Sequence, residues 1–245
     1  MSRAKRIYSD QGIYHIMFRG VNKQNIFEEE FDYKVMSDYI LNLKKKFSFE
    51  IYAYCFMTNH VHLVMKEKNM GDISLIMKNL LTKYALYFNN KYDRRGHLYE
   101  SRYKSKPISN EDYLYASICY VHQNPVKAYV VEKMEDYNWS SYKEYINNLN
   151  GLSDKDYILS LVTLSQLESM HGIEPDEYDP FDEKQQTLRE LRKFIVNSYG
   201  MEPEAIVELS YIQRRAIIIE LRRHYSLALI SAITNINPRT LSGYK

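Results

Sequence analysis

An apolar run carrying two histidines two residues apart, Phe56-Met-Thr-Asn-His60-Val-His62-Leu-Val-Met65, constrains this chain more than any other stretch. Extended backbone sends alternate side chains to opposite faces. A strand here would therefore present His60 and His62 side by side and bury Val61, Leu63 and Met65 behind them. Its histidine face suits one metal ion, but the same pattern also fits an ordinary amphipathic strand with two surface histidines. Other stretches must supply the rest of a site.

The flanking pattern is that of a mixed domain. Tyr14-His-Ile-Met-Phe-Arg19 alternates and stops at Gly20, which reads as a first strand. From about Asp32 to Phe47, the residues Val35, Met36, Tyr39, Ile40 and Leu43 recur at helical spacing, and Lys44 to Lys46 suit a helix C-terminus. Phe49 to Cys55 alternates again, ahead of the histidine strand. Ile73, Ile76, Met77, Leu80, Tyr84 and Phe88 form the stripe of a second helix, which leads into the cationic loop Tyr92-Asp-Arg94-Arg95-Gly96-His97. Leu98 to Ile108 reads as a fourth strand. Ser109 or Asn110 then caps a third helix, expected to end near Asn124 because proline disfavours helical geometry in the residue before it. The order βαββαβα predicts an α+β fold: a ferredoxin-like antiparallel sheet with helices on one face.

Charge divides the 245 residues into three parts. Residues 1–150 carry 22 Lys and Arg against 17 Asp and Glu, residues 151–183 carry 1 against 9, and residues 184–245 carry 10 against 5. Two basic blocks flanking an acidic connector suit modules that touch a polyanion. Glu174 to Glu183, with two prolines, reads as a linker, and the 24 tyrosines include rings available to stack on bases. The last block is helical throughout. Ser226 to Thr234, a turn at Asn235-Ile-Asn-Pro238, and a helix starting near Arg239 give an all-α, helix-turn-helix-like layout. No apolar run is long enough to span a membrane and the start of the chain lacks a signal-peptide segment, so the expectation is a cytoplasmic, nucleoid-associated protein. Cys55 and Cys119 are expected as free thiols.

Two neutral imidazoles leave most of an octahedral metal shell open. Asn124 offers a hard amide oxygen suited to Mg²⁺ or Mn²⁺, and Tyr120 lies one helical turn before it on the same face. A phenol is a poor nucleophile at its free pKa of about 10. Attack on a phosphodiester would need charge at the phosphate neutralised, which a metal provides.

His60-Val-His62 together with Tyr120-Val-His-Gln-Asn124-Pro-Val-Lys resembles the single-tyrosine HUH transposases, most closely their REP-associated branch. Gly96-His-Leu-Tyr-Glu-Ser-Arg102-Tyr-Lys-Ser resembles that branch's stretch ahead of the catalytic helix. The resemblance covers roughly residues 5 to 145. It implies a catalytic domain over 1–150 that cuts and rejoins single-stranded DNA beside a hairpin. Tyr120 would form a 5′-phosphotyrosine, with His60, His62 and Asn124 holding Mg²⁺ or Mn²⁺. Classical members carry glutamine where this chain has Asn124, so the helix must approach more closely. Arg94, Arg95, Arg102, Lys104 and Lys127 are the expected DNA contacts in this part. The tail 184–245 is similar to the DNA-binding domain of the replication initiator DnaA, which implies an accessory DNA-binding role with Arg239 as a contact. Two further readings stand beside this one: a replication-initiator or relaxase-like nickase, and a hairpin-DNA-binding protein that does not cut. Monomer and homodimer both remain open, and no membrane partner is expected.

Overall fold

Alternating sequence becomes strand in β1 (Ile13–Arg19), β2 (Glu50–Met57), β3 (His60–Lys66) and β4 (Lys104–Pro107). The 18-, 20- and 17-residue periodic segments become α1 (Glu30–Phe47), α2 (Asp72–Lys91) and α3 (Glu111–Lys127). This computed structural model describes residues 8–172 and 183–244. The linker expected over Glu174–Glu183 lies, all but its last residue, outside the described residues. The chain divides into two units, Met1–Asp176 and Glu177–Lys245.

The first unit is a four-stranded antiparallel sheet in the order β2-β3-β1-β4, which is the ferredoxin-like arrangement. Tyr14, Ile16 and Phe18 of β1 and Val61, Leu63 and Met65 of β3 share one face. They pack on Met36, Ile40 and Leu43 of α1 and on Ile76, Leu80, Tyr84 and Phe88 of α2, all buried in one core. Each such side chain contributes roughly 1.5–3 kcal/mol on leaving water. The other face carries His15, Met17 and Arg19, paired across the ladder with Val64, His62 and His60. α3 packs there, against β2 and β3. Thus α1 and α2 make the helical layer on the core face, and α3 lies over the histidine face.

Polar side chains fasten the ends of these elements. Glu67, just past β3, accepts the Tyr14 hydroxyl at 2.9 Å and the backbone N–H groups of Gly71 and Ile73 at 3.0 and 2.8 Å. It thereby caps the N-terminus of α2, where the helix dipole favours an anion. Asn110 caps α3 by accepting the Tyr113 N–H at 2.8 Å. Glu29 and Asp32 form a capping box on α1.

Two expectations require correction. The fourth strand is not continuous from Leu98 to Ile108: only Lys104–Pro107 joins the ladder, with a single bridge from Tyr99 to Gly20. Ser101 and Arg102 are exposed and break the buried alternation. The third helix does not end at Asn124 but carries Pro125 and runs to Lys127. Burial of residues 117–125 outweighs the missing proline N–H, and Ala128 N–H still reaches the Asn124 carbonyl at 3.0 Å. The connector, expected as short helical pieces to about Met170, holds α5 (Lys155–Leu161) and α6 (Leu164–Gly172), after the short α4 (Tyr142–Ile146). α5 packs on β2 and α6 on α3, so this segment is part of the first unit. Among the described residues, no helix is long and apolar enough to cross a membrane.

The second unit holds α7 (Glu183–Tyr199), α8 (Tyr211–Leu221), α9 (Leu227–Thr234) and α10 (Pro238–Gly243). Leu191, Ile195, Ile218, Leu221, Ile230 and Leu241 are its core. Asn235, left-handed at φ 58°, makes the tight turn between α9 and α10.

Asp32 is the most heavily used buried carboxylate. It is fully buried and accepts from Lys91 Nζ at 2.6 Å, the Tyr87 and Tyr92 hydroxyls at 2.7 Å each, and the Glu28 N–H at 2.8 Å. Burial pushes its pKa up, but Lys91, Tyr92, Glu28 N–H and Tyr87 together overcome this and bring it to about 2. A depressed carboxylate pKa stabilises the fold above the unfolded value and loses that contribution as pH falls. The window here runs from about 4 down to about 2, and the amount is about 2 kcal/mol. We expect urea unfolding of Asp32→Ala at pH 7 to show a loss of about 3–5 kcal/mol, because Lys91 is left without this partner. The difference between variant and wild type should shrink toward pH 2.

Candidate active site

β3 carries His60 and His62 on the face covered by α3, and α3 presents Tyr120 and Asn124 toward them. Helical spacing of four residues sets the second pair one turn apart, and the Asn124 side-chain N–H donates to the Tyr120 carbonyl at 3.3 Å. That bond fixes the amide so that Asn124 Oδ1 faces His60 Nε2 at 3.4 Å. The Tyr120 ring lies edge-on to His62, centroids 5.4 Å apart, and His60 and His62 are edge-on to each other at 5.1 Å. Lys127, two turns after Tyr120, sets its ammonium 4.9 Å from the centre of that ring. Tyr120 and Asn124 are each 8% exposed, so the site is shielded but open at one side.

Both histidines are held at Nδ1. His60 Nδ1 donates to Asn59 Oδ1 at 2.6 Å, and His62 Nδ1 shares a hydrogen bond with His15 Nε2 at 3.1 Å. Burial brings the pKa of His15 down to about 3. Burial, then the charges of His60, His15 and Arg19, hold His62 well below the ordinary imidazole value. His15 and His62 are thus neutral at pH 7, the state in which imidazole binds metal.

The donor set fits a divalent cation. With Nδ1–H of His60 committed to Asn59, a neutral His60 turns its Nε2 lone pair toward the Asn124 carbonyl oxygen, and the two can share one cation. A partner at each Nδ1 is also how proteins orient metal-binding imidazoles. Among the described residues no three His, Cys, Asp or Glu side chains cluster as a metal site. The third donor here is an amide, a hard oxygen compatible with Mg²⁺ or Mn²⁺.

The other expected contacts separate. Lys104 is exposed on β4, opposite Met17 and so on the site face; Arg102 is exposed just before it. Arg95 is exposed in the loop after α2. Arg94 has a structural partner: it donates to Gln24 Oε1 at 2.5 Å, and its guanidinium sits 5.6 Å from the Phe88 ring centre. Arg239 is exposed in the first turn of α10, in the second unit. His122 points away from Tyr120, as its two-residue offset requires, and stacks on His171 in a separate buried cluster. Sequence reasoning missed His15 and Arg19. Both follow from the alternation of β1, since every second residue from His15 to Arg19 shares a face.

Residues 8–124 match the family model described as "Transposase IS200 like". Among solved structures, the chain is similar to a REP-associated tyrosine transposase bound to a REP hairpin, at a TM-score of 0.52 and 20% identity over 62% of this chain and 90% of that one. A weaker likeness is to a candidate transposase from Deinococcus radiodurans R1, at a TM-score of 0.35 and 15% identity over 53% of this chain and 94% of that one. No curated protein matches it.

We expect His15→Leu, which removes the hydrogen-bond partner of His62, to weaken Mn²⁺ binding about 10- to 100-fold, read by paramagnetic resonance of unbound Mn²⁺, with unchanged circular dichroism. Over residues 8–124, a little under half of its length, the chain is thus similar to the IS200-like transposases.

Proposed function

We propose that the chain is a metal-dependent endonuclease and strand transferase that cuts and rejoins single-stranded DNA next to hairpins through a 5′-phosphotyrosine on Tyr120. The observation that carries this reading is the convergence of Tyr120, His60, His62 and Asn124 across one helix–sheet contact. The REP hairpin bound by the structural neighbour supports the choice of substrate.

A Mg²⁺ or Mn²⁺ ion held by His60, His62 and Asn124 would supply Lewis-acid polarisation of the scissile phosphate. Tyr120 Oη attacks phosphorus, the bond to the 3′ oxygen breaks, and that oxygen leaves as a 3′-OH after gaining a proton. The phosphodiester energy is kept in the tyrosyl ester, so the reverse attack by a 3′-OH rejoins a strand without ATP. Lys127 faces the Tyr120 ring and stabilises the negative charge that develops on the phenol as its proton departs. Lys104 and Arg102 extend a cationic edge beside the sheet, along which a strand's phosphates can track. The second unit acts as an accessory DNA-binding module, with Arg239 and the α9–turn–α10 segment as its contact. Residues 1–150 then form the catalytic part and 184–245 the accessory part.

The test is incubation with single-stranded hairpin DNA from the flanks of the gene, with Mn²⁺, followed by a denaturing gel. The expected product is a protein-linked DNA band that vanishes with EDTA and in Tyr120→Phe, while hairpin affinity changes less than about threefold. Hairpin binding with no linked species from wild type would establish a non-cutting binder. A linked species that never rejoins to an added 3′-OH strand would favour the initiator or relaxase-like nickase.

A further inference from the structure

Arg19 closes β1 on the site face, opposite His60 in the ladder. Its side chain is half-buried, and Nε is sealed from solvent with no hydrogen-bond partner. Among the described residues, no salt bridge involves it. Arg94, buried to a similar degree, finds an acceptor in Gln24. Sealing one guanidinium N–H from water without an acceptor is costly, and a bound anion is one way such a group is completed.

The backbone around Arg19 is rigid. Its carbonyl accepts the Glu100 N–H at 3.0 Å, and the next N–H, of Gly20, donates to the Asn59 carbonyl at 2.9 Å. A Cβ on Gly20 would stand 2.2 Å from the Gln24 carbonyl oxygen, so the chain has no room to shift there. The side chain therefore emerges from a fixed point beside His60.

We propose that Arg19 is a phosphate-binding residue of the site, its planar fork gripping the non-bridging oxygens of a phosphodiester seated against His60 and His62. Guanidinium matches two phosphate oxygens at once, which a lysine ammonium cannot do. This inference rests on the reading of Tyr120 as a nucleophile toward DNA, and it adds the group that orients the phosphate for attack.

The test treats the full chain with an arginine-directed dicarbonyl reagent, with and without inorganic phosphate and without metal, and locates adducts by peptide mass spectrometry. Arg19 should be modified, and phosphate should slow its modification at least fivefold while leaving the exposed Arg223 unaffected. Equal modification with and without phosphate, or an Arg19 that never reacts, would overturn the proposal. In single-turnover cleavage at saturating DNA, Arg19→Gln should lower the rate at least 100-fold and Arg19→Lys should restore part of it, with circular dichroism unchanged for both. A Gln variant that cleaves at the wild-type rate would also overturn it. If Tyr120→Phe still forms the DNA adduct, the nucleophile reading falls on its own, whereas phosphate protection of Arg19 is decided without any cleavage.

Discussion

The pairing of β1 with β3 decides which side chains meet on the site face. Arg19 stands opposite His60 and Met17 opposite His62, with Tyr14, Ile16 and Phe18 turned to the core. A slip of one residue would exchange the two faces. In β3 it would bury His60 and His62 among the residues of α1 and α2 and lay Val61, Leu63 and Met65 under α3. The apolar core therefore enforces the geometry of the site: register is held by burial of Val61, Leu63 and Met65, and His60 and His62 fall where that register leaves them.

The two faces carry different physics. On the core face, stabilisation comes from apolar area, with Asp32 and Glu67 used sparingly to anchor helix ends. On the other face, polar groups are drawn together in a shielded place and each is oriented by a neighbour: Asn59 for His60, His15 for His62, the Tyr120 carbonyl for Asn124. A site assembled this way is preorganised, since its donors need no rearrangement when a ligand arrives.

Much of this was legible in the sequence because it rests on two periods. Two-residue alternation placed His60 and His62 together, and four-residue spacing placed Tyr120 and Asn124 together. The ferredoxin-like order followed from the succession of those patterns. What the periods could not convey was pairing. His15 and Arg19 gain meaning only from lying opposite Val64 and His60, a fact of the ladder rather than of β1 alone. Likewise no local pattern shows that Arg94 meets Gln24, seventy residues away. The helix stop expected near Asn124 was a local rule overridden by tertiary burial, and the fourth strand was overdrawn because Leu98 is buried and Tyr99 half-buried without joining the ladder over more than one bridge.

Pro125 gives the two halves of the site different clocks. β1 and β3 are the inner strands, hydrogen-bonded on both sides, so the backbone under His15, His60 and His62 opens only with the whole sheet. α3 loses one ladder bond at Pro125 and ends in a left-handed Tyr129 at φ 55°, so its last turn can loosen while the sheet stays closed. Amide hydrogen exchange would read this as hours on the histidine strand beside faster opening after Asn124. Lys127, and with it the electrostatics of the tyrosine, belongs to the quicker half.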